Sequence, residues 1–232
     1  MYDRDNDGGL EWWQTQGQFQ WAERPEKPQR TDMGLIIRTS SSGKAYEPAP
    51  PGLQPARCIQ VIDLGTQTTT FSGETKQSKR VQLTWEIPGE RMSDGRPFTI
   101  SKKYSASLNP KSTLCKDLEG WRNKVFTEAE RAAWDTRKLL GQACTLTIIH
   151  SDPKPGDDRI YARVQSIGPV MKGMEIPKAE NELLYFDLDE FDEVTFNKLS
   201  KYLQEAIASS PEYQAIGAVT VDSAFEDSDI PF

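Results

Sequence analysis

The chain has 232 residues, of which 36% are hydrophobic and 27% charged, and its net charge is −7. This size allows one domain with tails or two small domains, and 15 Pro and 16 Gly indicate substantial irregular structure. No apolar run approaches the roughly 18–20 residues that cross a bilayer, and the acidic first residues lack a signal-peptide core. We therefore expect a cytoplasmic protein that contacts no membrane.

The net charge hides an uneven distribution. Residues 56–175 hold 19 Lys and Arg against 14 Asp and Glu, whereas residues 176–232 hold 3 against 13. A basic region followed by an acidic end keeps nucleic acid open as a partner, although the total charge alone argues against it.

The first segment, residues 1–44, shows no helical or strand period, and its aromatic residues stand among Gln, Gly and charges. We predict a disordered N-terminal arm. Two alternatives stay open: Met33 could be the biological start, or the aromatic residues could stack on bases or dock a partner.

The strongest pattern lies in residues 56–168, where short segments rich in β-branched and aromatic residues end at Gly or Pro. The predicted strands are 56–64, 78–87, 97–108, 143–150 and 159–167. Residues 112–140 between the third and fourth strands are predicted as two short helices, with Ser112 capping the first and Thr127 and Glu130 forming a capping box in the second. We predict a mainly β fold with α-helices, an OB-fold: a five-stranded Greek-key barrel with a helical insert between strands three and four.

Alternation along the strands predicts which side chains face the barrel interior. Val81, Leu83, Trp85 and Ile87 should face inward, and Arg80, Gln82, Thr84 and Glu86 outward. On the third strand Phe98, Ile100, Lys102 and Tyr104 share one side, which suggests a strand that leaves the core for a surface groove. Residues 65–77 are predicted as a polar loop over that groove.

After the barrel, apolar residues recur at spacings of three and four at Phe196, Leu199, Leu203 and Ile207. This stripe predicts one helix that docks on the barrel and ends before Ser210. The domain prediction is therefore 1–44 as the arm, 45–209 as a DNA-binding domain with its docked helix, and 210–232 as a flexible acidic tail for protein interaction.

Residue patterns typical of catalysis or metal binding are missing from the sequence. Cys58, Cys115 and Cys144 lack metal-ligand spacing and indicate buried, reduced thiols. His150 is the only histidine, no phosphate-binding loop is present, and Asp192 stands where a calcium loop requires Gly. We expect no metal, no cofactor and no enzymatic activity.

The positive signal is a set of basic residues interleaved with aromatic residues, which suits the phosphates and unstacked bases of single-stranded DNA. The predicted DNA contacts are Lys79, Arg80, Lys102, Lys103, Tyr104, Lys111, Trp121, Arg122, Tyr161 and Arg163. Alternatives stay open for some of them: Lys102 and Lys103 could be a solvated strand edge, and Tyr104 and Tyr161 could be core residues.

The most specific motif is the C-terminal end, which consists of Asp227, Ser228, Asp229, Ile230, Pro231 and Phe232. It is similar to the C-terminal tip of bacterial single-stranded-DNA-binding proteins. Four further stretches, 46–50, 62–67, 118–122 and 185–188, resemble phage-encoded members of that class.

The resemblance implies sequence-tolerant binding of single-stranded DNA in phage replication or recombination. It also implies that host replication or repair proteins dock on the tip through Asp227, Asp229, Ile230, Pro231 and Phe232. The alternative is an OB-fold adaptor that binds only protein and whose basic face is merely solvated. The oligomeric state is left open.

Overall fold

The structure is a computed structural model that describes residues 47–71, 73–153 and 159–222. Its strands are β1 (Gly52–Phe71), β2 (Glu74–Arg91), β3 (Pro97–Ser105), β4 (Ala143–His150), β5 (Ala162–Gly168) and β6 (Leu184–Phe186). Its helices are α1 (Thr113–Arg122), α2 (Glu128–Ala132), a 3₁₀-helix (Thr136–Leu139), α3 (Glu193–Lys198), α4 (Lys201–Ala208) and α5 (Pro211–Asp222). Of these described helices, none is both long and apolar enough to span a membrane.

The strands form one sheet in the order β3-β2-β1-β4-β5, and all neighbours in that order are antiparallel. The short strand β6 pairs with β1 in parallel. The prediction of a mainly β fold with helices is confirmed. Within the described residues β3 and β5 are the two ends of the hydrogen-bonded order, and no ladder joins them.

The prediction of a polar loop at residues 65–77 is wrong, because β1 and β2 continue through this segment as a hairpin. Their pairing extends from Arg57 opposite Glu86 to Phe71 opposite Glu74. Consecutive threonines, Thr68 to Thr70, occupy this extension. A β-branched threonine suits an extended backbone although its hydroxyl is polar, so the missing apolar alternation misled the prediction.

The inner face of the sheet is the main core, and the predicted inward side chains of β2 are buried in it as expected. Helix α1 covers this core and comes close to β5 at Gly120. A Cβ atom on Gly120 would lie 2.8 Å from the carbonyl oxygen of Ile167. The predicted caps are confirmed: the Ser112 side chain accepts from the Cys115 amide, and Thr127 and Glu130 form the capping box of α2.

The outer face of β2 is also buried, which corrects the prediction that its polar side chains face the solvent. Gln82, Thr84 and Glu86 are all buried. The segment after β5 that contains Glu180 and Asn181 lies over them. Glu86, which is 0% exposed, binds this segment by hydrogen bonds. The Glu86 carboxylate accepts hydrogen bonds from the Glu180 amide at 2.9 Å, from the Asn181 amide at 2.9 Å and from Asn181 Nδ2 at 2.6 Å.

The C-terminal helices form a second core against β1. Its buried members are Ile62, Leu64, Phe186, Leu188, Leu199, Leu203 and Ile207. Docking of the apolar stripe on the domain is therefore confirmed. The single predicted helix is instead two, α3 and α4, because the backbone at Leu199 is extended (ψ 153°) and Ser200 begins α4 as its N-cap.

The prediction of a flexible tail from residue 210 is wrong for its first part, since Pro211–Asp222 is helical. Ser210 is fully buried, and the Glu212 carboxylate accepts from the Thr66 amide at 2.9 Å and from its hydroxyl at 2.6 Å. Gly65 permits this contact: a Cβ there would lie 2.6 Å from Ser210, and its φ of +66° disfavours other residues. The predicted arm at 1–44 and the tip at 227–232 lie outside the described residues.

Candidate nucleic-acid interface

A groove of about 490 Å³ lies between β3 and β5. It is lined by Ser101, Lys102, Lys103, Ile149, Ala162, Arg163, Val164 and Gln165. Three residues of the predicted DNA-binding set meet here, Lys102, Lys103 and Arg163. We refer to this feature as the β3–β5 groove.

Two of these three cations are exposed, Lys103 on β3 and Arg163 on β5. Both stand on strands whose register is fixed by pairing, Lys103 opposite Gln82 and Arg163 opposite Ile149. Since rigid strands carry them, the two positive charges are held on opposite walls of one groove. This arrangement can bind a phosphate backbone without reading its sequence.

Next to Lys103 stands an aromatic residue that the sequence reasoning missed, Tyr202 on α4. Lys103 Nζ donates to the Tyr202 hydroxyl at 2.9 Å and lies 4.5 Å from the ring centroid. The residue stays 64% exposed. An exposed ring beside a cation suits an unstacked base. Tyr202 could have been found from its place beside Lys201 and off the apolar stripe of α4.

Tyr104 is buried and Lys102 is half-buried, and both are held by one carboxylate of α1. Lys102 Nζ donates to Asp117 Oδ2 on α1 at 2.7 Å, and the Tyr104 hydroxyl donates to the same oxygen at 2.8 Å. Tyr104 is 2% exposed, and burial raises the pKa of its hydroxyl far above the usual range. The prediction that Tyr104 contacts DNA is wrong, and Lys102 is already neutralised by a carboxylate. The third strand stays in the core, and its basic side chain pairs with α1.

Trp121 and Arg122 are also structural. Trp121 is 7% exposed, and its Nε1 donates to the carbonyl of Ala143 at 2.8 Å. The Arg122 guanidinium lies 4.3 Å from the ring centroids of both Phe126 and Trp134 and bonds a Glu130 carboxylate oxygen at 2.6 Å. Burial therefore contradicts the prediction that Trp121 contacts DNA, and the charge of Arg122 is already opposed by Glu130.

A helical period explains the burial of Trp121. Leu114, Leu118 and Trp121 follow one another at spacings of four and three, so they lie on one face of α1. That face is the buried one, because all three side chains belong to the main core. The spacing was visible in the sequence and marks Trp121 as a core residue.

The other predicted cations lie outside the lining of the β3–β5 groove. Lys79 Nζ is 3.0 Å from Asp63 Oδ2 and 3.4 Å from Asp189 Oδ2, so two carboxylates already oppose its charge. Arg80 lies on the hairpin extension, with its Nη2 3.5 Å from the Thr69 hydroxyl. Lys111 is exposed in the loop before α1.

Tyr161 directly precedes β5 and is half-buried. The Arg159 guanidinium lies 5.8 Å from its ring centroid. The predicted fifth strand began at residue 159, whereas β5 begins at Ala162. Tyr161 therefore stands at the entrance of β5 and not on its ladder.

Within the part of the chain that the structure describes, no group of three or more His, Cys, Asp or Glu side chains is placed to hold a metal ion. His150 Nε2 lies 2.8 Å from the carbonyl oxygen of Ala49. The three cysteines are buried and unbridged, as predicted. Desolvation raises the pKa of the Cys58 thiol to about 12, so it stays protonated at neutral pH.

Comparison of the chain with protein-family models, with curated proteins and with solved structures finds no match.

Proposed function

We propose that this protein binds single-stranded DNA through the β3–β5 groove, with little dependence on base sequence. The observation that carries the proposal is the pair of exposed cations, Lys103 and Arg163, on the two walls of one groove beside the exposed ring of Tyr202. Cations that neutralise phosphates and a ring that stacks on a base are the two components of a sequence-tolerant single-strand site.

The strand order supports an OB-type barrel for this domain. In the order β3-β2-β1-β4-β5 the two end strands are β3 and β5, and both line the same groove. A barrel of this kind is completed where these two strands meet, and barrels of this class bind oligonucleotides on a strand surface. The groove would then follow the seam of the barrel.

We also propose a place for this activity, drawn from the sequence resemblance: phage DNA replication or recombination. The chain would coat exposed single strands, and its last residues, Asp227 to Phe232, would recruit host replication or repair proteins. A terminal Phe offers a ring and a carboxylate to one partner pocket, and the acidic residues before it speed association with a basic partner.

One observation favours the adaptor that binds only protein. Several cations of the predicted set already have carboxylate partners: Lys79 with Asp63, Lys102 with Asp117, and Arg122 with Glu130. These pairs reduce the positive field that DNA would meet. In a single-strand-binding protein the exposed cations contact phosphates, whereas in an adaptor they are only solvated. A measurement of DNA binding therefore distinguishes the two functions.

The test is fluorescence anisotropy with labelled oligo-dT and with duplex of equal length, over a range of salt concentrations. Single strands should bind more tightly, and the log–log slope against salt should be roughly −0.7 per neutralised phosphate. Arg163→Ala and Lys103→Ala should each weaken binding and reduce that slope by about 0.7. Lys116→Ala, which removes an exposed cation of α1 outside the groove lining, is the matched control. Absence of binding at about 50 mM salt would leave the adaptor as the better description.

The tip has its own test. Deleting residues 227–232 should leave oligo-dT affinity equal or higher, because the deleted carboxylates repel phosphates. Phe232→Ala should abolish recovery of replication proteins from a bacterial lysate, since one buried aromatic anchor can contribute more than about 2 kcal/mol. Equal recovery by the intact, truncated and substituted proteins would show that the tip recruits nothing.

A further inference from the structure

A second opening lies on the outer face of β2, under the C-terminal segment. It has a volume of about 530 Å³ and is referred to here as the outer cleft. The residues that line it are Ile59, Gln60, Gln82, Thr84, Thr99, Ser101, Asn181, Glu182, Leu184, Ser200, Tyr202 and Leu203. The volume is within the roughly 300–1,000 Å³ typical of small-ligand sites.

The floor of the outer cleft is a regular grid of polar side chains. Ladder pairing places Gln60 opposite Thr84 and Thr84 opposite Ser101, so the three share one face. Gln82 stands two residues before Thr84, on the same face, and Thr84 and Ser101 join their hydroxyls at 3.0 Å. A polar sheet face under a covering segment is unusual, because burying polar groups is costly unless they are hydrogen-bonded.

Gln82 is the exception on this floor. It is 7% exposed, yet no hydrogen bond within the described residues uses its side-chain amide. The nitrogen and the oxygen of this amide both keep some surface that is accessible to solvent. The amide therefore opens onto the outer cleft, with one donor group and one acceptor directed at whatever occupies it.

The charge of the lining indicates what kind of group fits. Among the residues that line the outer cleft there is no Lys or Arg, and Glu182 adds a carboxylate. A cation stands at the margin, where Lys103 Nζ donates to the Tyr202 hydroxyl, but the lining itself offers a phosphate no ammonium or guanidinium group. A neutral, planar group that both donates and accepts hydrogen bonds would satisfy the Gln82 amide, and the ring of Tyr202 at the margin offers a stacking surface.

The outer cleft adjoins the β3–β5 groove, because Ser101 lines both. We propose that the outer cleft receives one nucleobase of a strand whose phosphates lie in the β3–β5 groove, and that Gln82 reads the edge of that base. The inference rests on the proposed DNA binding and limits its sequence tolerance: the nucleotide in the outer cleft has a base preference, and the nucleotides in the β3–β5 groove have none. Because a Gln carboxamide matches the adjacent donor and acceptor of adenine, adenine should bind best.

The experiment uses the full chain and oligonucleotides made of abasic spacers with a single A, C, G or T, and an all-abasic strand as reference. A bidentate pair discriminates against the wrong base by about 1–3 kcal/mol, so the A strand should bind roughly 5- to 150-fold more tightly than the weakest of the other three. Gln82→Met, which keeps the side-chain length and removes the amide, should bring this ratio to about one. Its affinity for the all-abasic strand should not change.

The control is Gln165→Met, which removes an exposed amide of the β3–β5 groove and should keep the base ratio. If melting shows that Gln82→Met is unfolded, two base ratios replace its measurement. One is the ratio of the unaltered protein, and the other is that of Gln60→Met, which removes a second amide from the floor of the outer cleft. Equal affinity of the unaltered protein for all four bases would overturn the inference, as would a base ratio that survives in folded Gln82→Met. Failure of the unaltered protein to bind ordinary oligo-dT would instead overturn the proposed function itself.

Discussion

Replacing Glu86 by Gln should loosen the contact between the sheet and the C-terminal segment. The substitution keeps the shape of the side chain but turns one carboxylate oxygen into an NH₂ group. Both oxygens now accept: one from the Glu180 amide, the other from the Asn181 amide and Asn181 Nδ2. In the variant an NH₂ group must face at least one of these donors, whichever way the amide turns.

The magnitude follows from the hydrogen bonds that are lost. A hydrogen bond to a charged group contributes about 1.5–3 kcal/mol, and a buried donor left without an acceptor costs about 1–3 kcal/mol. The better orientation of the Gln amide loses one bond and leaves the Glu180 amide opposed by a donor. Together these two contributions predict that the free energy of unfolding falls by roughly 2.5–6 kcal/mol.

The measurement is urea denaturation at neutral pH together with hydrogen exchange at the amides of Glu180 and Asn181. Glu90→Gln is the matched control: it makes the same change at an exposed position of β2 and should alter stability by less than about 0.5 kcal/mol. If Glu86→Gln behaves like Glu90→Gln and the two amides exchange no faster, Glu86 does not fasten the segment.

Two further substitutions test other contacts. Gly65→Ala should lower the free energy of unfolding by about 1–3 kcal/mol, because its backbone is left-handed and its Cβ would overlap Ser210; Gly89→Ala, with nothing within 4 Å of the added Cβ, is the control in the same denaturation assay. Glu130 has its pKa lowered to about 2, first by the Thr127 amide and then by the Arg122 guanidinium. Ionised Glu130 therefore adds to the free energy of unfolding above its unfolded pKa of about 4.3, and this stabilisation is lost as the pH falls toward 2. Glu130→Gln should remove this acid-side decline from a plot of stability against pH, and an unchanged plot would contradict the assignment.

The sequence predicted the strands well where one face is apolar. The fourth strand matches β4 at both ends, and the inward side chains of β2 are those that alternation selected. Alternation could not reveal that the opposite face of β2 is buried as well. A polar face normally indicates solvent, and only tertiary structure brings the segment of Glu180 and Asn181 over it.

The candidate site was predictable only in part. The exposed pair Lys103 and Arg163 was selected correctly as surface cations. Arg163 alternates with Ala162 and Val164, and Lys103 is on the side of β3 opposite Phe98, Ile100 and Tyr104. Trp121 was mistaken for a surface aromatic although its helical spacing from Leu114 and Leu118 marks it as a core residue. Tyr104 was mistaken for one because Lys102, on the same side of β3, suggested that the strand leaves the core. Tyr202 was missed although it stands beside Lys201 and off the apolar stripe of α4; that it lies next to Lys103 could be seen only in the structure.

Burial of both faces of β2 places the two contributions to the proposed DNA binding in separate openings. The charges stand in the β3–β5 groove, where Arg163 is exposed, whereas the hydrogen-bonding floor with Gln82 lies under the C-terminal segment and carries no cation. Phosphate contacts set the salt dependence of affinity but carry no sequence information. Base contacts carry the sequence information and add little to the salt dependence. Arg163→Ala should therefore change the salt slope and leave the base ratio intact, and Gln82→Met should change the base ratio and leave the slope intact. Were each substitution to alter both quantities, the two openings would have to act as a single site.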